Sequence, residues 1–471
     1  MRGLPRHLLS PRRGPAAAAA AALLMAACRG AGEEDRWRYG RILHEEDPSV
    51  RSRDDARRRY RELAARAEIT LGDAYRMALH RSETLAIGGE ELVRLQARYE
   101  QARAALLPAV SFKGSLVLQE ATAGGGTSSL QRSFTQEKRG QYQFYGRWPL
   151  FLGLREIHAL RQQEALAGAR ERELRHARLL LGADVAEAFY GVLQAERELA
   201  TTEASLRLAE ERREELVQRH RVGISRRSEV LALEAEVASL GAQRERLRGL
   251  LAVSWEVLQF LTGGEARPVL RDTLPDPDGA PPLEDCVARA LERREDLRAL
   301  ECREAAAEEA VGVARAGYLP AALLEADGYT HREGISADID WDVLLSFEIP
   351  IFDGLGTPAR IREARADRRA AALARERLRR DIELSVRRAH ADLEASVAVR
   401  ASLEKVVESA RENYEIVQAE YRRGLATNVE VLSVFNTLQQ ARLEHDRARI
   451  QAKLALLRLE IQAGALPEGI R

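Results

Sequence analysis

Residues 339–349 read Ile-Asp-Trp-Asp-Val-Leu-Leu-Ser-Phe-Glu-Ile, and their alternation decides the fold. Ile339, Trp341, Val343, Leu345, Phe347 and Ile349 share one parity, whereas Asp340, Asp342, Leu344, Ser346 and Glu348 share the other. A period of two held over this length is a strand with one apolar and one wet face. On its N-terminal side, 322–330 reads as a weaker partner strand, with Leu323, Glu325, Asp327 and Tyr329 on one face. The same device stands earlier in the chain. In 109–119, Val110, Phe112, Gly114, Leu116 and Leu118 alternate with Ser111, Lys113, Ser115 and Val117. In 140–150, Tyr142, Phe144, Gly146, Trp148 and Leu150 alternate with Gln141, Gln143, Tyr145 and Arg147. Gly124-Gly125-Gly126 with its Thr and Ser neighbours makes the connection a turn region.

The two hairpins belong to a duplication. An offset of 212 relates Leu71/Leu283, Asp73/Asp285, Arg81/Arg293, Glu83/Glu295 and Pro108/Pro320. An offset of 201 relates Pro149/Pro350, Gly153/Gly354, Gly223/Gly424, Glu229/Glu430 and Gly263/Gly464. The 11 residues lost between the offsets (212 − 201) fall in the hairpin loops, where length changes are tolerated. Repeat one spans 70–267 and repeat two 283–465, joined by a proline-rich linker at 268–282 and followed by a tail at 466–471.

Long helices surround the hairpins. Charged residues are 31% of the 471 and aromatics 5%, a bias of long helices and coiled coils. No proline interrupts 150–267, and Gly424 is the lone glycine between Pro358 and Gly464. Leu160, Ala167, Leu174, Leu181, Ala188 and Ala195 recur every seventh residue. A helix over 155–221 would run roughly 100 Å at 1.5 Å per residue. Gly223 and Gly424 sit where such helices reverse, and each suits a left-handed C-cap. Return helices then reach about 262 and 463. The segment 71–107 reads as helix with a break near Gly88-Gly89, ended by Pro108.

Residues 1–27 form a targeting segment, with Arg2, Arg6, Arg12 and Arg13 preceding an apolar run too short to span a bilayer. Leu24-Met25-Ala26-Ala27-Cys28 resembles a bacterial lipobox, which makes Cys28 the lipidation site and 28–69 a lipidated linker; ordinary cleavage nearby is the other reading. Arg29 lacks the aspartate that would retain a lipoprotein at the inner membrane, so the outer membrane is the destination. The arginine-rich 51–66 is interleaved with Asp54, Asp55 and Glu62 and reads as a solvated helix or linker. Formal charge is zero, which argues against nucleic acid as a partner. Cys286 and Cys302 fall in helical sequence and both read as buried free thiols. Nine scattered histidines, no phosphate-binding loop and no nucleophile elbow leave no basis for an enzyme, a metal or a cofactor.

Four two-faced strands cannot lie in lipid with open edges, because each unpaired backbone group costs several kcal/mol. Closing a barrel takes about eight strands or more. Several chains must therefore share one barrel, continued by a helical tube. The fold class is mainly α with membrane β. A coiled-coil scaffold or periplasmic adaptor without a pore shares the helical hairpins but not the paired strands, and is the alternative.

The duplicated order of helix, hairpin, long helix, glycine turn and return helix resembles the TolC-type outer-membrane efflux protein family. Leu106-Leu107-Pro108, Tyr318-Leu319-Pro320, Trp148-Pro149-Leu150-Phe151 and Ile349-Pro350-Ile351-Phe352-Asp353-Gly354 carry the likeness. So do Arg221-Val222-Gly223 and Tyr421-Arg422-Arg423-Gly424, each followed by Glu-Val-Leu at 229–231 and 430–432. The resemblance implies a homotrimer with a 12-stranded outer-membrane barrel continuous with a 12-helix periplasmic barrel. It also implies an adaptor and an inner-membrane pump as partners. Gly223, Gly424, Arg422 and Arg423 would then form the adaptor-docking tip, and Glu229, Tyr421 and Glu430 the entrance gate. Ser433 and Ala426 depart from the family's second acidic ring position and latching arginine. Glu229 and Glu430 are equally what a solvated helix start favours. The barrel lumen would receive Lys113, Arg147, Glu325, Asp327, Asp340, Asp342 and Glu348.

Overall fold

The computed structural model describes residues 38–44, 50, 52–118, 138–333, 338–466 and 470. The targeting segment, Cys28 and the glycine triplet at 124–126 lie outside them. One end of the molecule is a four-stranded antiparallel sheet ordered β2-β3-β5-β6, built from Ala109–Leu118 (β2), Lys138–Leu152 (β3), Ala321–Arg332 (β5) and Trp341–Glu348 (β6). The two hairpins thus join through a β3–β5 seam. Register shifts at Tyr142/Gln143 and Pro149/Phe151 bend β3. Pro149, with no N–H to give, sits at the second of them.

Each hairpin turns into its long helix through a left-handed pair, Gly153-Leu154 (φ 65° and 64°) and Gly354-Leu355 (66° and 69°). A β-carbon on Gly153 would lie 2.7 Å from Leu319 Cβ, so the corner is closed to other residues. Two leucines held at positive φ cost about 1–2 kcal/mol each. The helices that follow, Arg155–Arg221 (α5) and Gly356–Arg422 (α9), have 67 residues apiece, about 100 Å. They reverse into Arg227–Thr262 (α6) and Asn428–Gln462 (α10). In α5, Leu174, Leu181, Ala188 and Ala195 are buried, whereas Leu160 and Ala167 nearer the sheet are half-buried.

Shorter elements pack against the middle of the long helices as a collar. It contains Arg38–Leu43 (α1), Arg53–Ala64 (α2), Glu68–Thr70 (β1), Leu71–Arg81 (α3), Val269–Arg271 (β4) and Leu283–Arg293 (α7). Glu83–Ala104 (α4) and Glu295–Arg315 (α8) rise from it to the sheet. β1 and β4 pair in parallel and staple the N-terminal segment to the linker between repeats. Tyr75, Leu85, Leu92, Val185, Phe189, Trp255, Leu258 and Ile450 share the main core here. Each such large side chain contributes roughly 1.5–3 kcal/mol by leaving water.

The N-terminal linker thus holds two helices and a strand, more than the solvated helix or linker that the sequence suggests over 51–66. The helix predicted over 71–107 breaks at Ser82, not at Gly88-Gly89. Ser82 leaves the helical region (ψ 106°) and caps α4 by accepting from the Leu85 N–H at 3.3 Å. Gly88 stays helical because its missing side chain admits Arg170 and Leu174 of α5, which a β-carbon would meet at 3.2 and 3.3 Å. Cys286 is a buried free thiol and Cys302 a half-buried one.

Candidate functional site: a strand-lined lumen and a turn-built tip

Two regions carry the predicted site residues, at opposite ends of the long helices. At the sheet end, cross-strand partners share a face and neighbours along a strand alternate. The pairs Ala109↔Arg147, Lys113↔Gln143, Arg147↔Glu325, Asp327↔Asp342 and Ala321↔Glu348 therefore set Lys113, Arg147, Glu325, Asp327, Asp342 and Glu348 on one face. Asp340 joins them, its carbonyl accepting from the Tyr329 N–H at 2.8 Å. The other face carries Phe112, Tyr142, Phe144, Trp148, Trp341, Val343, Leu345 and Phe347. Phe112 packs edge-on to Phe144 at 5.2 Å, and most of this face is exposed in the single chain.

Asp327 and Asp342 stand directly opposite each other, an arrangement that repels unless donors intervene. Gln143 donates to Asp327 at 2.5 Å, and the Tyr329 hydroxyl donates to Asp342 at 2.9 Å. The Tyr145 hydroxyl donates to Glu325, and Lys113 lies 3.1 Å from the centre of the Tyr145 ring. Positive charge thus sits on β2 and β3 and negative charge on β5 and β6, except at the end of β5, where Arg332 lies 4.0 Å from Asp342 and 4.1 Å from the centre of the Tyr329 ring.

At the far end, Gly223 (φ 77°) and Gly424 (φ 78°) make both reversals, exposed beside Val222, Ile224, Leu425, Arg422 and Arg423. Thr427 and Glu430 form a reciprocal capping box, the Thr427 N–H donating to Glu430 at 2.7 Å and the Glu430 N–H to Thr427 at 3.3 Å. The Thr427 N–H and hydroxyl, both donating to it, hold the Glu430 carboxyl below the usual carboxylate range. Glu229 accepts from Ser225 Oγ and from the Arg226 N–H at 3.4 Å. Tyr421 bonds to Arg219 rather than to Glu229: Arg219 donates to its hydroxyl at 3.3 Å and lies 5.0 Å from its ring centre. Burial raises the Tyr421 hydroxyl above its ordinary pKa. One heptad nearer the collar, Arg212 repeats the contact, donating to Tyr414 at 2.6 Å and lying 5.4 Å from its ring centre.

Sequence reasoning missed these arginines, and it missed a charge cluster in the collar. Lys453, buried in α10, donates to Asp272 at 2.7 Å and to the Leu274 carbonyl at 2.6 Å. Arg449 grips Asp276 through both oxygens at 2.9 and 2.7 Å. Burial alone would raise the Asp276 carboxyl, but the bonds from Arg449 and Lys453 prevail and lower it. A lysine in the run Ala452-Lys453-Leu454-Ala455-Leu456 was the available signal. Among the described residues no helix is long and apolar enough to cross a membrane, and no cluster of three or more His, Cys, Asp or Glu could hold a metal.

A charged face backed by an aromatic face, at one end of a 67-residue helical tube, is the layout of a channel wall. The outer membrane efflux protein family matches residues 74–264 and 286–465. The chain belongs to that family. Outer membrane protein TolC of Vibrio cholerae is 24% identical over 296 residues, covering 60% of this chain and 67% of that protein. The pyoverdine export outer membrane protein OpmQ of Pseudomonas putida is 26% identical over 422 residues, covering 83% and 85%. Among solved structures, VceC from Vibrio cholerae superposes with a TM-score of 0.73 at 19% identity, covering 84% of this chain and 96% of that one. The MtrE channel of Neisseria gonorrhoeae gives 0.69 at 21% identity, covering 85% and 89%. These structures share the fold of tube and sheet, which the alternative scaffold without strands does not have. Family and structural neighbours are channel proteins, and none is an enzyme by name.

Proposed function

We propose that three copies of this chain pool their strands into one outer-membrane barrel and their helices into one periplasmic tube. The assembly is a passive exit duct for an efflux or secretion system. The observation that carries this reading is the sheet: four strands with Phe112, Trp148, Trp341 and Phe347 on one face and Lys113, Arg147, Glu325, Asp327, Asp342 and Glu348 among the charged residues on the other. One chain leaves two open edges, and three chains supply 12 strands, enough to close a barrel with the charged face inward.

The tip supplies the partner reading. Gly223 and Gly424, with Arg422, Arg423 and the exposed Val222, Ile224 and Leu425, give each copy two basic, apolar-tipped turns for a periplasmic adaptor, which couples the duct to an inner-membrane pump. Glu229, Tyr421 and Glu430 line the entrance between the turns. Acylated Cys28 adds a lipid anchor in the outer membrane. Energy for transport comes from the pump.

The test is a pair of single-cysteine variants on adjacent residues of β6. In the purified, membrane-reconstituted protein, Asp342→Cys reacts with an impermeant maleimide that enters the lumen, whereas Trp341→Cys, facing lipid, does not. Planar bilayers containing the protein conduct ions. Equal labelling at both positions together with no conductance overturns the duct.

A further inference from the structure

The corner where repeat two begins holds a cluster of arginines that transport through a duct does not call on. Arg172, Arg175 and Arg178 stand three residues apart along one face of α5. Arg293 ends α7 and Arg298 lies one turn into α8, which packs on α5. These five arginines and Glu295 line a cavity of about 360 Å³, together with Leu179 and the segment Gly464-Ala465-Leu466 that follows α10. Its walls are fixed. Arg178, Leu179 and Leu466 are each less than a tenth exposed. Gly464 (φ 81°) is pressed onto the corner, where a β-carbon would lie 3.1 Å from the Arg293 carbonyl carbon and the Arg294 nitrogen.

The carboxylates at this corner are already committed. Arg172 donates to Glu295 at 2.9 Å, Arg175 to Glu171 at 2.8 Å, and Arg294 to Asp296 at 3.0 and 2.7 Å. Arg178 donates to the Ile42 carbonyl at 2.8 Å. The side chains of Arg293 and Arg298 have no hydrogen bond or ion pair among the described residues. A lysine in such company could shed its proton, but a guanidinium cannot, so only an anion relieves the crowding. The fold itself does not ask for the cluster. Adding 201 to the α5 positions and subtracting 212 from the others gives Leu373, Glu376, Arg379, Arg81 and Ala86. The other repeat thus builds the same elements with two arginines and an acid where this corner has five arginines.

We propose that this cavity binds a small polyvalent oxyanion, a molecule carrying two or more phosphate or carboxylate groups. Guanidinium forks suit both groups, since each can take two parallel N–H···O bonds. The volume falls among small-molecule sites, roughly 300–1,000 Å³, and exceeds what a single ion needs. Arg293 is exposed, Arg298 half-buried and Arg178 buried, so positive charge runs from the rim of the cavity to its floor. The bound anion bridges α5 of repeat one to the α7–α8 corner of repeat two and stabilises that junction. The site stands apart from the duct reading, because every residue of it belongs to one chain.

The test uses the full chain purified in detergent, with inorganic pyrophosphate and citrate as probes. Each is titrated by calorimetry and by thermal unfolding, at an ionic strength held constant with sodium chloride. One anion binds per chain and raises the unfolding midpoint saturably. Arg298→Gln weakens binding by about tenfold or more, and Arg293→Gln with Arg298→Gln abolishes it. Arg246→Gln, at an exposed arginine of α6, binds as the parent does. Without added anion the double variant unfolds no lower than the parent, because it loses crowded charge and no bond. Binding of pyrophosphate alone marks phosphate as the group recognised, and binding of citrate alone marks carboxylate; either sustains the site. Binding of neither, or binding that survives in the double variant, overturns it. So does a double variant less stable than the parent in plain buffer, since that outcome makes the two arginines structural.

Discussion

Glu198 on α5 and Arg447 on α10 form a two-bonded ion pair between the repeats, with Nε to Oε1 at 2.6 Å and Nη2 to Oε2 at 2.7 Å. Glu198 is 3% exposed, whereas the Arg447 side chain is 49% exposed. Truncating the arginine strands a buried carboxylate, and the loss exceeds what the pair itself contributes. Because Arg447 is half in water, the cost falls short of a fully buried pair. Arg447→Ala is expected to destabilise by about 2–3 kcal/mol, and Glu198→Leu with Arg447→Leu by less. Denaturant unfolding in detergent measures both; a single variant as stable as the parent contradicts the account.

The same pair makes a statement about pH. The bonds from Arg447 hold the Glu198 carboxyl below the usual carboxylate range, against the opposing effect of burial and with help from Gln194. A carboxyl whose folded pKa is depressed contributes stability that is complete above its unfolded value of about 4.3. That contribution is lost as pH falls through the lower folded value. Stability should therefore fall below about pH 4.3, less steeply in Glu198→Gln. An acid limb of the same slope in both proteins would sink this reading.

Gly424 separates a turn requirement from a docking requirement. Its φ of 78° penalises any L side chain, yet nothing lies within 4 Å of the position a β-carbon would take. Gly424→Ala should cost about 1–2 kcal/mol locally and leave transport intact. Gly424→Trp carries the same turn penalty as alanine, so a loss of efflux confined to the tryptophan variant, with normal trimer yield, points to the adaptor. Resistance unchanged in Gly424→Trp cells would remove this turn from the docking surface.

The strands and long helices are legible in the sequence because one local period governs each. The 339–349 alternation marks β6, and the unbroken, proline-free 155–221 marks α5. Pairing across the β3–β5 seam is not legible, since Arg147 and Glu325 meet only when two hairpins are placed edge to edge. The collar escaped for a related reason. Three-residue β1 and β4 carry too little pattern to recognise, and their parallel pairing spans some two hundred residues. The Ser82 break was masked by Gly88-Gly89, where Gly88 serves close packing on α5 instead of ending a helix. At the tip, Gly223 and Gly424 stand out by type. Arg219 does not, because in a helix full of arginines only the neighbouring hairpin shows which one meets Tyr421.

Tyr421 offers a graded test of that clasp. Tyr421→Phe removes the hydroxyl that accepts from Arg219 but keeps the ring beneath the guanidinium, an interaction of about 0.5–1 kcal/mol near a surface. Arg219→Ala removes both. If the clasp steadies the tip, single-channel conductance should rise modestly in Tyr421→Phe and further in Arg219→Ala. Equal conductance in all three proteins would leave the contact a packing detail.

The entrance role proposed for Glu430 can be separated by one titration from its role as a helix cap. Its carboxylate accepts the Thr427 N–H and hydroxyl, which keeps it ionised below the ordinary carboxylate range. An ionised carboxylate at the entrance binds polyvalent cations that obstruct current, and that block should persist to lower pH than an unbonded carboxylate allows. Thr427→Val removes the side-chain acceptor and donor, weakens the cap, and should move the loss of block upward in pH. Glu430→Ala should abolish this part of the block at every pH. Block by hexamminecobalt measured in planar bilayers decides it. An unchanged block curve in Glu430→Ala leaves the carboxylate as a helix cap alone.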